Sequence, residues 1–187
     1  MAFCKFINFF RFSFSCQMKT ILLLGDSLIE YGDWRRAFPN SRCQNLGIAG
    51  ETVEGLLHRL PAIIQLHGVP DAVVTMTGTN NLAMDDFYFL PQYAEILRKL
   101  KNAFPLAKII ATSLLPVDFS WQPTTLVPNI NAQLAETCRQ VAVSYLDLYS
   151  YFQHAIDKGV PVFGDDGVHL SSAGYDLWRQ ALLKLLS

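Results

Sequence analysis

The segment Thr20-Ile21-Leu22-Leu23-Leu24 is apolar at every position and ends on Gly25. A strand with one wet face alternates polar and apolar residues. An unbroken run buries both faces, which requires a parallel sheet covered by helices above and below. Four more segments suit strands of the same sheet. They are the weaker Gln44-Asn45-Leu46-Gly47-Ile48, then Ala72-Val73-Val74-Thr75-Met76-Thr77, Lys108-Ile109-Ile110-Ala111-Thr112-Ser113 and Val143-Ser144-Tyr145-Leu146-Asp147-Leu148. Helical spacing fills the intervals. Residues 52–66 carry Val53, Leu56, Leu57, Leu60 and Ile64; residues 92–104 carry Tyr93, Ile96, Leu97, Leu100 and Phe104; residues 129–142 carry Ile130, Leu134, Cys138 and Val141. A last helix starts from Ser171 or Ser172 as N-cap and carries Tyr175, Leu177, Trp178, Leu182 and Leu186. The alternation predicts an α/β fold over residues 19–187, a three-layer α/β/α sandwich on a five-stranded parallel sheet. The longest irregular stretches are 82–91 and 115–128.

Composition narrows the function classes. With 15 basic and 16 acidic residues the net charge is −1, too little positive charge for a nucleic-acid surface. An apolar fraction of 51% against 17% charged excludes a disordered chain. Cys4, Cys16, Cys43 and Cys138 are far apart and form no C-x-x-C pair, which argues against a disulfide framework or a zinc ribbon. No His-x-x-x-His spacing suggests a metal.

Residues 1–18 read as an extension of a different kind. Phe3, Phe6, Phe9, Phe10, Phe12 and Phe14 crowd its start, with Lys5 and Arg11 among them. Phe3, Phe6, Ile7, Phe10 and Phe14 share one helical face, so contact of residues 1–17 with a membrane surface is one reading. A loosely attached extension and a degenerate export signal are the others. Arg11 interrupts any signal-peptide core, and no run reaches the ~18–20 apolar residues of a membrane span. The expected location is cytoplasmic.

Ligands of such sheets bind beyond the carboxyl ends of the strands. The first three strands run into Gly25-Asp26-Ser27-Leu28, Gly47-Ile48-Ala49-Gly50-Glu51-Thr52 and Gly78-Thr79-Asn80-Asn81, and Asp165-Asp166-Gly167-Val168-His169 lies near the chain end. Each supplies a part that acyl transfer needs. Ser27 is a nucleophile if a base takes its proton, and His169 is such a base. Asp166, three residues earlier, can orient the imidazole from the same turn. The backbone N–H groups of Ser27 and Gly50 and the side-chain amide of Asn80 are candidate oxyanion donors. Asp26 reads as a turn or cap residue and Gly47 as a site of close strand packing. Asn81 reads equally as a support for the site or as a loop residue.

Together these four blocks resemble the GDSL, or SGNH, hydrolase superfamily across about residues 19–187. The resemblance implies a flavodoxin-like sheet and esterase, lipase or thioesterase activity. It implies Ser27, Asp166 and His169 as the catalytic residues, with Ser27, Gly50 and Asn80 forming the oxyanion hole. Many members have an acid where this chain has Asn81. The asparagine resembles the branch of the platelet-activating-factor acetylhydrolase subunits and many bacterial esterases, and it weakens a thioesterase inference.

The expected function is a serine esterase acting on a small-molecule ester through an acyl-serine, with no metal or organic cofactor. The alternatives are a carbohydrate O-acetylesterase or acyltransferase using the same site, and a non-catalytic binding module. Leu28, Asn81, Leu115 and Val168 are the candidate substrate-binding residues. Leu82, Phe87, Phe89, Phe119 and Trp121 flank the same rim, as pocket lining or as ordinary loop packing.

Overall fold

The computed structural model describes residues 18–117, 119 and 121–186. The expectations for residues 1–17 lie outside the described residues. Five strands form one all-parallel sheet in the order β2-β1-β3-β4-β5: β1 Thr20–Gly25, β2 Arg42–Gly47, β3 Ala72–Met76, β4 Lys108–Thr112 and β5 Ser144–Leu146. The expected α/β sandwich on a five-stranded parallel sheet is borne out.

The strand order dictates the layers. From β2 to β5 every crossover moves the same way across the sheet, so right-handed connections put their helices on one face. Those helices are α3 Val53–Leu66, α5 Leu90–Ala103 and α6 Leu126–Gln140, and α5 packs against both of the others. The step from β1 to β2 runs the opposite way. It carries α1 Ser27–Glu30 and α2 Trp34–Ala37, and α2 packs on α8 Ser172–Leu186. The short α4 Thr79–Ala83 follows β3, and α7 Leu148–Asp157 follows β5 and packs on α8. Strands β1 and β3 lie inside the sheet between two helical layers, so Leu22, Leu23, Leu24, Val73 and Val74 are fully buried. No described helix is long and apolar enough to cross a membrane.

The differences from expectation have physical causes. Strand β2 begins two residues early, at Arg42, because it is a sheet edge where Arg42 and Asn45 remain exposed. Ile48 leaves the strand and is 47% exposed. The fifth strand is shorter than its apolar pattern suggests. Val143 N–H donates back to the Cys138 carbonyl, and the Asp147 carboxylate caps α7 by accepting from Ser150 N–H. Helix α7 was therefore hidden in a segment read partly as strand, although Leu148, Phe152 and Ala155 share its buried face. Parts of both irregular stretches are helical, since α4 runs to Ala83, α5 starts at Leu90 and α6 at Leu126.

An aromatic cluster joins α2 to α8. The Trp34 and Trp178 rings meet edge-on with centroids 4.9 Å apart, and Tyr175 lies 6.1 Å from Trp34. Tyr175 O–H donates to the Leu28 carbonyl over 3.1 Å, and Trp34 Nε1–H to the Ile29 carbonyl over 2.8 Å. Both bonds end on α1.

Gly47 sets how closely α1 approaches the sheet. A Cβ there would lie 2.3 Å from the Glu30 nitrogen, a backbone atom. The sequence reading of Gly47 as a packing residue agrees with this contact. Gly47→Ala must push α1 off β2, and it should lower unfolding stability in urea by about 1–3 kcal/mol. Unchanged stability would show that α1 yields freely.

Candidate active site

Ser27 is the first residue of α1, two positions beyond the end of β1. Asp26 forms the corner: its Oδ1 accepts from Leu28 N–H at 3.0 Å, and its backbone carbonyl accepts from Ile29 and Glu30. The expected cap role of Asp26 is what the structure shows. Ser27 keeps 8% of its surface exposed.

His169 comes from the loop before α8, 142 positions away, and its Nε2 lies 3.0 Å from Ser27 Oγ. Its Nδ1 lies 2.6 Å from Asp166 Oδ2. The other oxygen, Oδ1, accepts from the backbone N–H groups of Val168 at 3.0 Å and His169 at 2.8 Å. One carboxylate thus organises the turn and orients the ring it carries. The hydrogen bond from the ring, followed by those two backbone bonds, holds the Asp166 carboxyl down at about 2. An ionised Asp166 can only accept, so Nδ1 carries the proton and Nε2 offers its lone pair to Ser27. The turn is anchored by Gly164 N–H donating to the His169 carbonyl over 2.7 Å. The Tyr31 ring, centroid 5.4 Å from that of His169, borders the imidazole. Sequence reasoning missed Tyr31, whose only signal is its place one helical turn past Ser27.

Gly50 and Asn80 reach the same end of the sheet by register. Gly25 pairs with Gly47 on one side and Met76 on the other, and the two residues lie three and four positions beyond those partners. Gly50 has a φ of +76°, a left-handed conformation that glycine adopts without steric cost. Among the described residues, no protein acceptor engages the N–H of Ser27 or of Gly50. Asn80 Nδ2 donates to the Glu51 carbonyl over 2.9 Å, tying the Gly50–Glu51 connection to α4.

The expected substrate-binding set divides. Leu28 is 1% and Leu115 0% exposed, so neither presents a surface to a ligand; this corrects their assignment. Leu28 faces the core from α1. Leu115 is drawn in because the buried Asn131 side chain binds both the N–H and the C=O of Leu114. Asn81 is also buried: its Oδ1 accepts from Val53 N–H at 3.0 Å and its Nδ2 donates to Asp86 over 2.7 Å. Between the two readings of Asn81, these bonds favour support of α4 and of the start of α3. Val168 is half-buried within the His169 turn. Leu82, Phe89 and Phe119 are buried, while Trp121 is 61% exposed. Among the described residues no three His, Cys, Asp or Glu side chains form a metal-ligand group.

The fold and sequence recur among known proteins. The model of the GDSL-like Lipase/Acylhydrolase family matches residues 23–177. The chain belongs to that family. Its members hydrolyse carboxylic ester bonds, and so does this protein. It is 29% identical over 174 residues to platelet-activating factor acetylhydrolase IB subunit alpha2 of Rattus norvegicus, covering 88% of this chain and 76% of that one. A solved Streptococcus pneumonia protein named for platelet activating factor superposes with a TM-score of 0.79 at 25% identity, over 94% of this chain and 87% of the other. The lipase/acylhydrolase of Enterococcus faecalis shares the fold with a TM-score of 0.76 at 23% identity, over 90% and 95% of the two chains.

Asp26 makes stability depend on pH. Its side chain is fully buried, and Oδ2 has no hydrogen-bond partner among the described residues. Burial, reinforced by the charge of Glu51 and offset in part by the Leu28 bond, raises its pKa to about 7. The folded chain therefore holds this proton more tightly than the unfolded chain does. The resulting stability is fully present below the ordinary carboxylate pKa of about 4 and is lost as pH rises to about 7. Asp26→Asn keeps the Leu28 acceptor and removes the titration. The Tm of Asp26→Asn relative to wild type should rise between pH 4 and pH 8, followed by thermal melts. A pH-independent difference would mean that Asp26 ionises without cost.

Proposed function

We propose that this protein is a serine esterase that removes short acyl groups, acetyl above all, through an acyl-serine intermediate. The observation that carries the reading is the continuous contact from Asp166 Oδ2 through both nitrogens of His169 to Ser27 Oγ. His169 Nε2 takes the Ser27 proton as Oγ attacks the ester carbonyl. Asp166 stabilises the imidazolium without itself accepting the proton. The carbonyl oxygen becomes an oxyanion that accepts from the N–H groups of Ser27 and Gly50 and from Asn80 Nδ2. His169 then protonates the leaving alcohol. Water, deprotonated by the same imidazole, attacks the acyl-serine, and the imidazolium returns the proton to Ser27 Oγ as the acid is freed.

The preference for a short acyl group has two supports. The 29%-identical relatives are named acetylhydrolases. Leu28, Leu82 and Leu115 are committed to the core, so none of them lines a deep acyl slot.

With p-nitrophenyl acetate, Ser27→Ala should lose at least about 10³-fold in kcat, and Asn80→Ala about 10²–10³-fold. Retained turnover in Ser27→Ala rejects the acyl-serine reading. Across p-nitrophenyl esters from acetate to decanoate, kcat/KM should be highest for acetate and fall at least about tenfold by decanoate. A maximum at decanoate would overturn the acyl-size assignment alone.

A further inference from the structure

We infer that Arg59 is a positioning residue for the oxyanion donors, acting through Glu51. The inference rests on the proposed ester hydrolysis at Ser27. Gly50 carries one donor, yet nothing lies within 4 Å of the place a Cβ on it would occupy. Its left-handed backbone is therefore not held by packing on Gly50 itself. The next residue supplies the hold.

Glu51 is attached to its surroundings at three points. Its N–H donates to the Ile48 carbonyl over 3.1 Å, closing a turn around Ala49 and Gly50. Its carbonyl accepts from Asn80 Nδ2 at 2.9 Å. Its carboxylate, 8% exposed, is gripped by the Arg59 fork: Nε meets Oε1 at 2.5 Å and Nη2 meets Oε2 at 2.7 Å. The same Nη2 donates to the Leu46 carbonyl at 2.7 Å. One planar guanidinium on α3 thus joins β2, before the turn, to Glu51, after it. This fixes both ends of the segment that carries the Gly50 N–H. It also fixes the Glu51 carbonyl that orients the Asn80 amide.

Oxyanion stabilisation needs donors that are already in place when charge develops. Small displacements of such groups cost rate disproportionately. A surface ion pair would add little, but this pair is largely withdrawn from water and bidentate, the arrangement in which arginine imposes geometry.

The test uses the full chain and p-nitrophenyl acetate, with circular dichroism and Tm confirming the fold of each variant. Arg59→Met should lower kcat about 10–100-fold and leave KM within about twofold, because the lost interaction acts mainly in the transition state. Arg59→Lys keeps the charge but not the fork, and it should restore only part of the rate. In an Asn80→Ala background the Arg59→Met penalty should shrink at least about fivefold, since one of the groups it positions is gone. Should Arg59→Met fail to fold, Arg59→Lys carries the same cycle with the same criteria.

The inference is overturned by a kcat within twofold of wild type, by a loss expressed in KM, or by penalties that multiply in full on Asn80→Ala. Equal turnover by wild type and Ser27→Ala would reject the proposed acyl-serine chemistry at Ser27. Ser27-dependent turnover that ignores Arg59 would reject only the positioning role.

Discussion

The burial of β1 on both faces governs this molecule. A strand with no wet side must have helices above and below, and its chain must leave the sheet at the carboxyl end before it can turn back. Gly25 and Asp26 make that exit, and Ser27 is the first residue beyond it to enter a helix. The nucleophile candidate is thus delivered by a strand whose residues Ile21 to Leu24 are all buried. The strand neighbours on either side, β2 and β3, deliver Gly50 and Asn80 to the same edge.

The remaining half of the site comes from the far end of the sequence, and it is held by packing rather than by the sheet. Helix α8 meets α2 through Trp34 and Trp178, and it meets α1 through the Tyr175 bond to Leu28. His169 lies just before α8, so the contacts that dock this helix also bring the imidazole to Ser27. Loosening the aromatic cluster would therefore affect reactivity as well as stability. The two properties share the same atoms at Leu28 and Tyr175.

Much of this was legible in the chain, and the limits come from how little a local pattern can carry. Unbroken apolar runs marked β1, β3 and β4 because those strands are buried on both faces. The blocks around Ser27, Gly50, Asn80 and Asp166-Gly167-Val168-His169 were visible because each comes directly after a strand or before a helix. Strand β2 was misregistered because an edge tolerates Arg42 and Asn45, which erases the apolar signal. Helix α7 was hidden because Asp147-Leu148 continues an apolar stretch until the Asp147 cap turns it. The burial of Leu28 and Leu115 depends on tertiary partners, among them Asn131. The Arg59–Glu51 pair spans eight positions across a turn and a helix start, and no sequence period foretells it.

The His169 ring keeps 41% of its side chain open to solvent, and Asp166 keeps 52%. An imidazole so placed is within reach of any small hydroxyl compound that bulk liquid brings to it. On the proposed acyl-serine pathway, added methanol or glycerol would compete with water for the acyl carbonyl in proportion to its concentration and nucleophilicity, dividing the product between free acid and a new ester.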